Sequence, residues 1–460
     1  MIREALITLI TVSALVIVLL YVVINGFYVI VHLMGAFELQ TQQREKGFDA
    51  SYGSFDSRFL PGIAIIVAAY NEEETIVDSV RSLLDLEYAD RSIIVCNDGS
   101  DDDTLDELIE AYEMELIDEH PPWHLDCEPV IGIYRSKLVD DLFVIDKAHG
   151  GKSDALNAGI SFTEQPLICT VDADSLIDRN GLRRAIAPFV AHPKETVASG
   201  GTVRVANGST IEGGQVLQAR MSDKTLVQLQ ELEYLRAFYS GRLGLSRLRN
   251  LLVISGTFGV FRTDIARAIG GYRRDTVTED LDLVVRIHRY MKDTSREYRI
   301  EFVSEPIVWT QVPESRVALS HQRRRWYRGL LEVLTSNRDM FGKPRYGVVG
   351  TVALPMHLLA EGIGPLIEAY GYIIVPLAFF LGILNIQFFL MFLIVIIGIG
   401  VFLSLFGVFS EVWSYRRYDR PRQIAILLGV AVLENFGYRQ WRAFVSMRGF
   451  VEFLRRDARW

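Results

Sequence analysis

Five polar clusters in this 460-residue chain, and one glycine-bearing turn between them, carry the side chains able to do chemistry. The first cluster, Tyr70-Asn71-Glu72-Glu73-Glu74, follows an apolar run and opens an amphipathic stretch through Ile76, Val80, Leu83 and Leu84. Such a turn grips a nucleotide if Tyr70 stacks on a base while Asn71 and Glu72 hydrogen-bond to base or ribose. It equally fits a helix N-terminus whose acids complement the macrodipole. The second, Asn97-Asp98-Gly99-Ser100-Asp101-Asp102, places Asp98 at a strand tip as a uracil or ribose ligand. Read blandly, it is an acidic loop with a helix cap at Ser100 or Asp101. The third, Val171-Asp172-Ala173-Asp174-Ser175, ends a run through Leu167 and Ile168. Carboxylates at i and i+2 on a strand end that begins to turn can both approach one hard cation. Mg²⁺ or Mn²⁺ held there by Asp172 and Asp174 would bridge a donor's phosphates and neutralise charge on a departing nucleoside diphosphate. The alternative is a solvated strand-to-turn junction.

Between the second and third clusters lies the turn His149-Gly150-Gly151-Lys152-Ser153-Asp154-Ala155-Leu156-Asn157. It lacks the GxxxxGK[ST] spacing of nucleoside-triphosphate loops. Lys152 can still contact a pyrophosphate, with Asn157 ordering the loop; an ordinary turn and helix start is the simpler reading. The fourth cluster, Thr278-Glu279-Asp280, precedes the helical pattern LDLVVRIHRYM. Its acids satisfy a helix dipole, or Asp280, with Glu279 beside it, is the general base that takes a proton from an attacking hydroxyl. The fifth, Gln322-Arg323-Arg324-Arg325-Trp326, reads as a juxtamembrane basic patch. It also suits a sugar-diphosphate site, with Arg325 for phosphate and Trp326 as a platform for an acceptor ring.

These clusters need rigid elements behind them. Between about residues 61 and 313 short β-rich runs alternate with helical stretches, the pattern of an α/β domain with a largely parallel sheet. Candidate strands fall at 63–70, 92–98, 142–146, 167–174 and 197–201, several ending in acids. In open α/β sheets ligands bind beyond the carboxyl ends of strands. A net charge of −9 argues against a nucleic-acid partner. The three cysteines, Cys96, Cys127 and Cys169, are odd in number and widely spaced, which disfavours a disulfide framework and leaves oxygen ligands for any metal.

Half the residues are hydrophobic, and they concentrate at the two ends. Residues 5–34 are almost wholly apolar, longer than the roughly 20 that cross a bilayer. A signal peptide would have a shorter apolar core and a small-residue cleavage site. A polar connector over 37–60 follows the anchor, taken as 1–36. Apolar segments return at about 347–366, 367–384, 386–410 and 423–438. The stretch 386–410 is the clearest crossing, while Glu361, Pro365 and Glu368 make the first interfacial or kinked. Arg416, Arg417, Arg420 and Arg422 form one basic loop, and Arg439, Arg442, Arg448, Arg455 and Arg456 another. Placing both in the cytosol makes 423–438 re-entrant or surface-bound and gives two or three C-terminal spans. The expected division is anchor, connector, catalytic domain at 61–330, interfacial and transmembrane helices at 331–440, and a basic tail at 441–460.

Taken in order, Tyr70-Asn71-Glu72, Asp98, Asp172-Ala173-Asp174, Thr278-Glu279-Asp280 and Gln322 to Trp326 closely resemble the motif set of the processive family 2 glycosyltransferases, the membrane synthases of cellulose, hyaluronan and poly-N-acetylglucosamine. Ser255, Gly256 and Thr257, in Ser255-Gly256-Thr257-Phe258-Gly259, resemble the acceptor-pocket segment of that family and so would line the entrance to a translocation path. The resemblance implies a GT-A fold, a Rossmann-like mixed sheet combined with transmembrane helices. It implies a UDP-sugar donor, its uridine at Asp98 and the Tyr70 region, Asp174 on Mg²⁺ or Mn²⁺, and Asp280 as base. Gln322, Arg325 and Trp326 would cap the site and hold the growing polysaccharide, with inversion giving a β-linked product. A multi-pass protein of the plasma or inner membrane with a cytosolic catalytic domain follows, and an accessory export protein is a further implied partner. Two departures stand out: Thr278-Glu279-Asp280 replaces the glycine-aspartate-aspartate of hyaluronan synthases, and the long regulatory C-terminal domain of many cellulose synthases is missing. A chain of this length most resembles the poly-N-acetylglucosamine synthases. The rival readings are a non-processive enzyme that glycosylates a membrane lipid or lipid phosphate, and an idle nucleotide-binding receptor or transporter.

Overall fold

The structure, a computed structural model, describes residues 2–49, 60–415 and 421–455. Arg416, Arg417, Arg420 and Arg456 of the two basic loops lie outside the described residues. The chain divides into two compact units, an α/β unit of Glu38–Ser222 with Leu251–Val312 and a helical unit of Met1–Phe37, Asp223–Asn250 and Pro313–Trp460. The expected continuous block at 61–330 is therefore interrupted, because 223–250 and 313–330 pack with helices rather than with the sheet.

In the α/β unit the strands are β1 (Ile63–Ala69), β2 (Arg91–Asn97), β3 (Met114–Ile117), β4 (Val130–Ser136), β5 (Leu142–Lys147), β6 (Leu167–Asp172), β7 (Leu176–Ile177), β8 (Thr196–Val205), β9 (Thr210–Glu212), β10 (Gln215–Gln218), β11 (Phe258–Arg262) and β12 (Arg299–Thr310). Ten of them form one sheet in the order β3-β4-β5-β2-β1-β6-β11-β8-β12-β7, and β9 and β10 make a separate hairpin. The centre is parallel: β5 with β2, β2 with β1, and β1 with β6. β1 reads as an unbroken apolar run because both of its faces are buried, with Ile63, Ile65, Ile66 and Val67 at 1% exposure or less. Parallel pairing does not extend outward. On one side β4 and β3 add antiparallel, the five residues between β4 and β5 allowing a direct return. On the other, β11 runs antiparallel to both β6 and β8, and β12 runs parallel to β8 but antiparallel to β7. The sheet is thus mixed.

The buried helix Lys152–Phe162 follows β5 and packs on β1 and β2. It approaches closely enough that a Cβ at Gly159 would lie 2.5 Å from Ile66 Cγ2. That approach fixes the height of the helix start, and hence of Lys152, over the ends of the parallel strands.

The polar stretch after the N-terminal anchor is helical through Asp49, so the expected connector at 37–60 is in part a continuation of one 48-residue helix, Ile2–Asp49. Its Gln42 amide donates to Phe302 O at 2.9 Å and accepts from Ser304 N at 2.9 Å, joining β12 where that strand's register shifts.

Among the described residues, three helical runs are long and apolar enough to cross a membrane: Ile7–Arg44, Val349–Phe380 and Ile386–Ser414. The first two C-terminal segments read from the sequence, 347–366 and 367–384, fuse into one run with π-helical turns at Val349–Ala353 and Leu358–Ile363. Its carboxylates are partnered: Tyr28 donates to Glu361 at 2.5 Å, and Arg439 and Tyr372 donate to Glu368 at 2.8 and 2.5 Å. The helix Pro421–Leu433, with 13 residues, is too short to span, and the chain breaks at Phe436 and Gly437 before the helix Arg439–Arg455.

Candidate active site

The carboxyl ends of β1, β2, β5 and β6 and the starts of the helices Lys152–Phe162 and Glu279–Asp293 converge in the α/β unit. At the centre is Lys152. Its Nζ lies 2.5 Å from Asp172 Oδ1 and 3.1 Å from Glu279 Oε1, and it donates to Gly256 O at 2.9 Å. Burial pulls this ammonium down, but Asp172 and Glu279 more than reverse the effect, so it titrates above the usual lysine range. A Cβ at Gly256 would meet Asp280 Oδ2 at 3.5 Å and Lys152 Nζ at 3.9 Å. A single methyl would thus fit in ordinary contact, while a larger side chain would fill the space beside Asp280. Ser255 and Thr257 bond to each other through their hydroxyls at 2.8 Å, and Thr257 O accepts from Asp172 N at 3.4 Å, which ties this segment to the end of β6.

Asp174 is the other acid of the metal pair read from the sequence. Burial pushes its carboxyl up, and the charges of Asp172 and Glu72 add to that, with Ser175 and Lys152 opposing. Negative charge is therefore crowded where a divalent cation would relieve it, and in this sense Asp172 and Asp174 fit a metal. Among the described residues no group of three or more His, Cys, Asp or Glu is placed to hold an ion alone. Further ligands would have to come from donor phosphate or water.

The residues read from the sequence as nucleotide ligands are arranged differently from a row of open ligands. Tyr70 is exposed and packs against the imidazole of His149, the ring centroids 4.5 Å apart and the planes tilted by 38°. Asn71 adopts the left-handed backbone conformation, φ 56°, and its side-chain oxygen accepts from Asp101 N at 2.9 Å. Glu72 N donates to the Thr104 hydroxyl at 2.8 Å, and the Glu72 carboxylate accepts from Thr75 at 2.6 Å. Asn71 and Glu72 thus join the loop after β1 to the loop after β2. Asp98 is buried, and its carboxylate is held within the protein: Lys147 Nζ at 2.6 Å, Gly150 N at 3.0 Å and Gly151 N at 2.7 Å donate to it. Rather than standing open at the strand tip, Asp98 shapes the turn that carries His149 and Lys152.

Behind that turn is a charge chain that motif reading passed over. Lys147, fully buried, also lies 2.6 Å from Asp154 Oδ1. Asp154 is paired with Arg274 Nε at 2.8 Å and accepts from Glu128 N. The opposing carboxylates hold Lys147 above its usual range despite burial. The sequence signal was a lysine following Asp146 at the end of the apolar run 142–145. Asn157 ties the helix to Tyr272 through both backbone groups, at 2.7 and 2.9 Å, as expected for a residue ordering this region.

Gln322, Arg325 and Trp326 stand on the helix Arg316–Ser336 of the helical unit, capped by Ser315. Arg325 and Trp326 are exposed and Gln322 is half-buried.

The pattern of "Glycosyl transferase family group 2" matches residues 167–405, more than half of the chain. The chain belongs to this glycosyltransferase family. A second pattern, "Glycosyl transferase family 2", matches residues 64–124, so the two together cover the β1, β2, β6 and helix 279 sites. Among curated relatives, a poly-beta-1,6-N-acetyl-D-glucosamine synthase of Staphylococcus epidermidis is 30% identical over 275 residues, 60% of this chain and 56% of that protein. The enzyme of the same name from Staphylococcus aureus strain COL is 29% identical over 301 residues, 65% of this chain and 60% of that one. The match thus spans under two thirds of those relatives. Among solved structures, a mannosyltransferase from Pyrobaculum calidifontis in complex with GDP-Man and Mn²⁺ aligns with 96% of this chain and 99% of its own, with a TM-score of 0.53 and 14% identity. The glycosyltransferase has the GT-A-like mixed sheet of that fold.

Proposed function

We propose that this family member is a membrane-embedded inverting transferase that polymerises a UDP-sugar, UDP-N-acetylglucosamine foremost with UDP-glucose the alternative, into a β-linked polysaccharide. The observation that carries this reading is the convergence of Lys152, Asp172 and Glu279, with Asp280 against Gly256, at the carboxyl ends of the parallel strands. The names of the staphylococcal relatives support the polymer and the sugar. The three long apolar helices among the described residues, whose hydrophobic side chains are largely exposed, support a multi-pass membrane placement.

In this reading Asp280 accepts the proton of an acceptor hydroxyl as its oxygen attacks the anomeric carbon. The new glycosidic bond forms as the bond to the diphosphate breaks, and a nucleoside diphosphate leaves. One displacement inverts the centre, so an α-linked donor gives a β-linked product. Lys152 meets the diphosphate as a point charge. Tyr70 and His149 offer an aromatic surface to the base. Asp174 and Asp172 would hold Mg²⁺ or Mn²⁺, which supplies charge neutralisation on the leaving diphosphate. Gln322, Arg325 and Trp326 hold the acceptor end, and the C-terminal helices carry the product out.

The test incubates membranes containing the protein with labelled UDP-sugars and Mg²⁺ or Mn²⁺, then sizes the product and digests it with linkage-specific hydrolases. Long polymer susceptible to a β-specific hydrolase is expected. Product confined to lipid-extractable monosaccharide defeats the synthase reading, and no turnover with any donor defeats the enzyme reading.

A further inference from the structure

Within the helical unit, a buried acid outside every motif touches the acceptor cluster. Glu233, on the helix Thr225–Arg236, has its side chain 9% exposed. It accepts from Arg323 Nη2 at 2.5 Å and from Arg442 Nη1 at 2.5 Å. The Arg323 guanidinium in turn lies over the indole of Trp326, 4.6 Å from the ring centroid. Burial pushes the Glu233 carboxyl up, but Arg323, Arg442, Arg236 and Tyr438 outweigh it and leave it below the usual carboxylate range.

Three physical steps connect these contacts. A buried carboxylate shared by two guanidiniums is held by charge-assisted hydrogen bonds on both oxygens, and removing it would strand Arg323, whose side chain is 16% exposed, without its counter-charge. An arginine so anchored loses the rotamer freedom it has at a surface. A guanidinium fixed over one face of an indole leaves the ring one orientation and one open side. We propose that Glu233 is a positioning residue for the acceptor site: by clamping Arg323 over Trp326, it sets the indole face that meets the acceptor sugar. The proposal rests on the acceptor role given to Trp326 above.

The test uses full-length protein in lipid nanodiscs. Trp326 emission is obtained as the difference between wild type and Trp326→Phe, and repeated in a Glu233→Gln background. Acrylamide quenching of that component should rise about twofold in Glu233→Gln as the guanidinium leaves the ring. With a β-linked N-acetylglucosamine oligosaccharide as acceptor, its KM should rise about tenfold while the donor KM stays within about twofold, the scale of one aromatic contact. Glu233→Asp should recover part of the loss, and Glu233→Gln combined with Trp326→Ala should be no worse than Trp326→Ala alone. Unchanged quenching, a parallel rise in donor KM, or additive losses would overturn the proposal. If Glu233→Gln does not accumulate, Arg323→Gln breaks the same contact and leaves Glu233 its Arg442 partner, with the same expected reads. Wild-type protein that transfers no sugar sinks the synthase reading, whereas the quenching comparison still decides whether Glu233 sets Trp326.

Discussion

Replacing Lys152 by methionine should tighten nucleotide-free binding of a divalent cation while weakening the nucleotide. The ammonium sits 2.5 Å from Asp172 and 3.1 Å from Glu279, so it already holds the ground a metal would take beside Asp172. A unit charge pair at that distance is worth about 1.7 kcal/mol at the dielectric of water and about 6–7 kcal/mol at an effective value of 20. The Lys152 and Asp172 side chains are 34% and 27% exposed, which favours the lower figure. Methionine keeps most of the aliphatic reach and removes the competing charge. Mn²⁺ affinity should therefore rise on the order of tenfold. The nucleotide responds with the opposite sign: without Lys152 a diphosphate loses the charge of that ammonium, and metal-free UDP binding should fall by a similar factor, on the order of tenfold. Electron paramagnetic resonance of free Mn²⁺, titrated into detergent-solubilised protein with and without UDP, reads both. Mn²⁺ binding that is unchanged or weaker in Lys152→Met would refute the idea that this lysine competes for Asp172.

Asp280→Asn should cut sugar transfer by about 10²–10⁴, the range for a lost general base, and leave UDP affinity within about twofold. Retained transfer removes Asp280 from the base role. At Gly256, Val should impair transfer more than Ala, since a bare Cβ already comes within 3.5 Å of Asp280 Oδ2 and branched methyls reach further; equal activities would show that the gap is not used. His288 is buried between Leu251 O and the Tyr298 hydroxyl, and burial lowers its imidazole from 6.5 to about 4. Its neutral form stabilises the fold fully above pH 6.5, and that contribution disappears as pH falls towards 4, a loss of roughly 3 kcal/mol. The melting temperature should drop across that window and drop less in His288→Gln; identical slopes would exclude His288 as the source.

What the sequence made legible follows from how local each signal is. Continuous apolar runs at β1 and β6 can hardly be anything but strands buried on both faces, and their acidic ends mark where chemistry gathers. The antiparallel flanks were less legible because their pairing is set by chain return: β7 has two residues, and β12 carries Glu301, Glu305 and Pro306 within its length. In the long apolar C-terminal helices, Glu361 and Glu368 argued for a kinked or surface segment because their partners, Tyr28 and Arg439, are far away in sequence.

The same limit explains the candidate site. Residue type and spacing pointed to Lys152, Asp172 and Glu279 one by one, whereas their mutual contact comes from three separate elements meeting over the sheet. Asp98 illustrates the opposite case. An aspartate at a strand tip has the right chemistry for a ribose or base, but whether its oxygens remain open depends on what lies opposite, and here Lys147, Gly150 and Gly151 occupy them. Lys147 is joined to Asp154, and Asp154 to Arg274, so the turn is supported by alternating buried charges. Neutralising one member leaves its neighbours unpaired in a poorly solvated place, which costs more than the contact itself. Substitutions at Asp98 therefore disturb the placement of His149 and Lys152 together, and lost nucleotide binding in such a variant is by itself no proof that Asp98 touches the nucleotide.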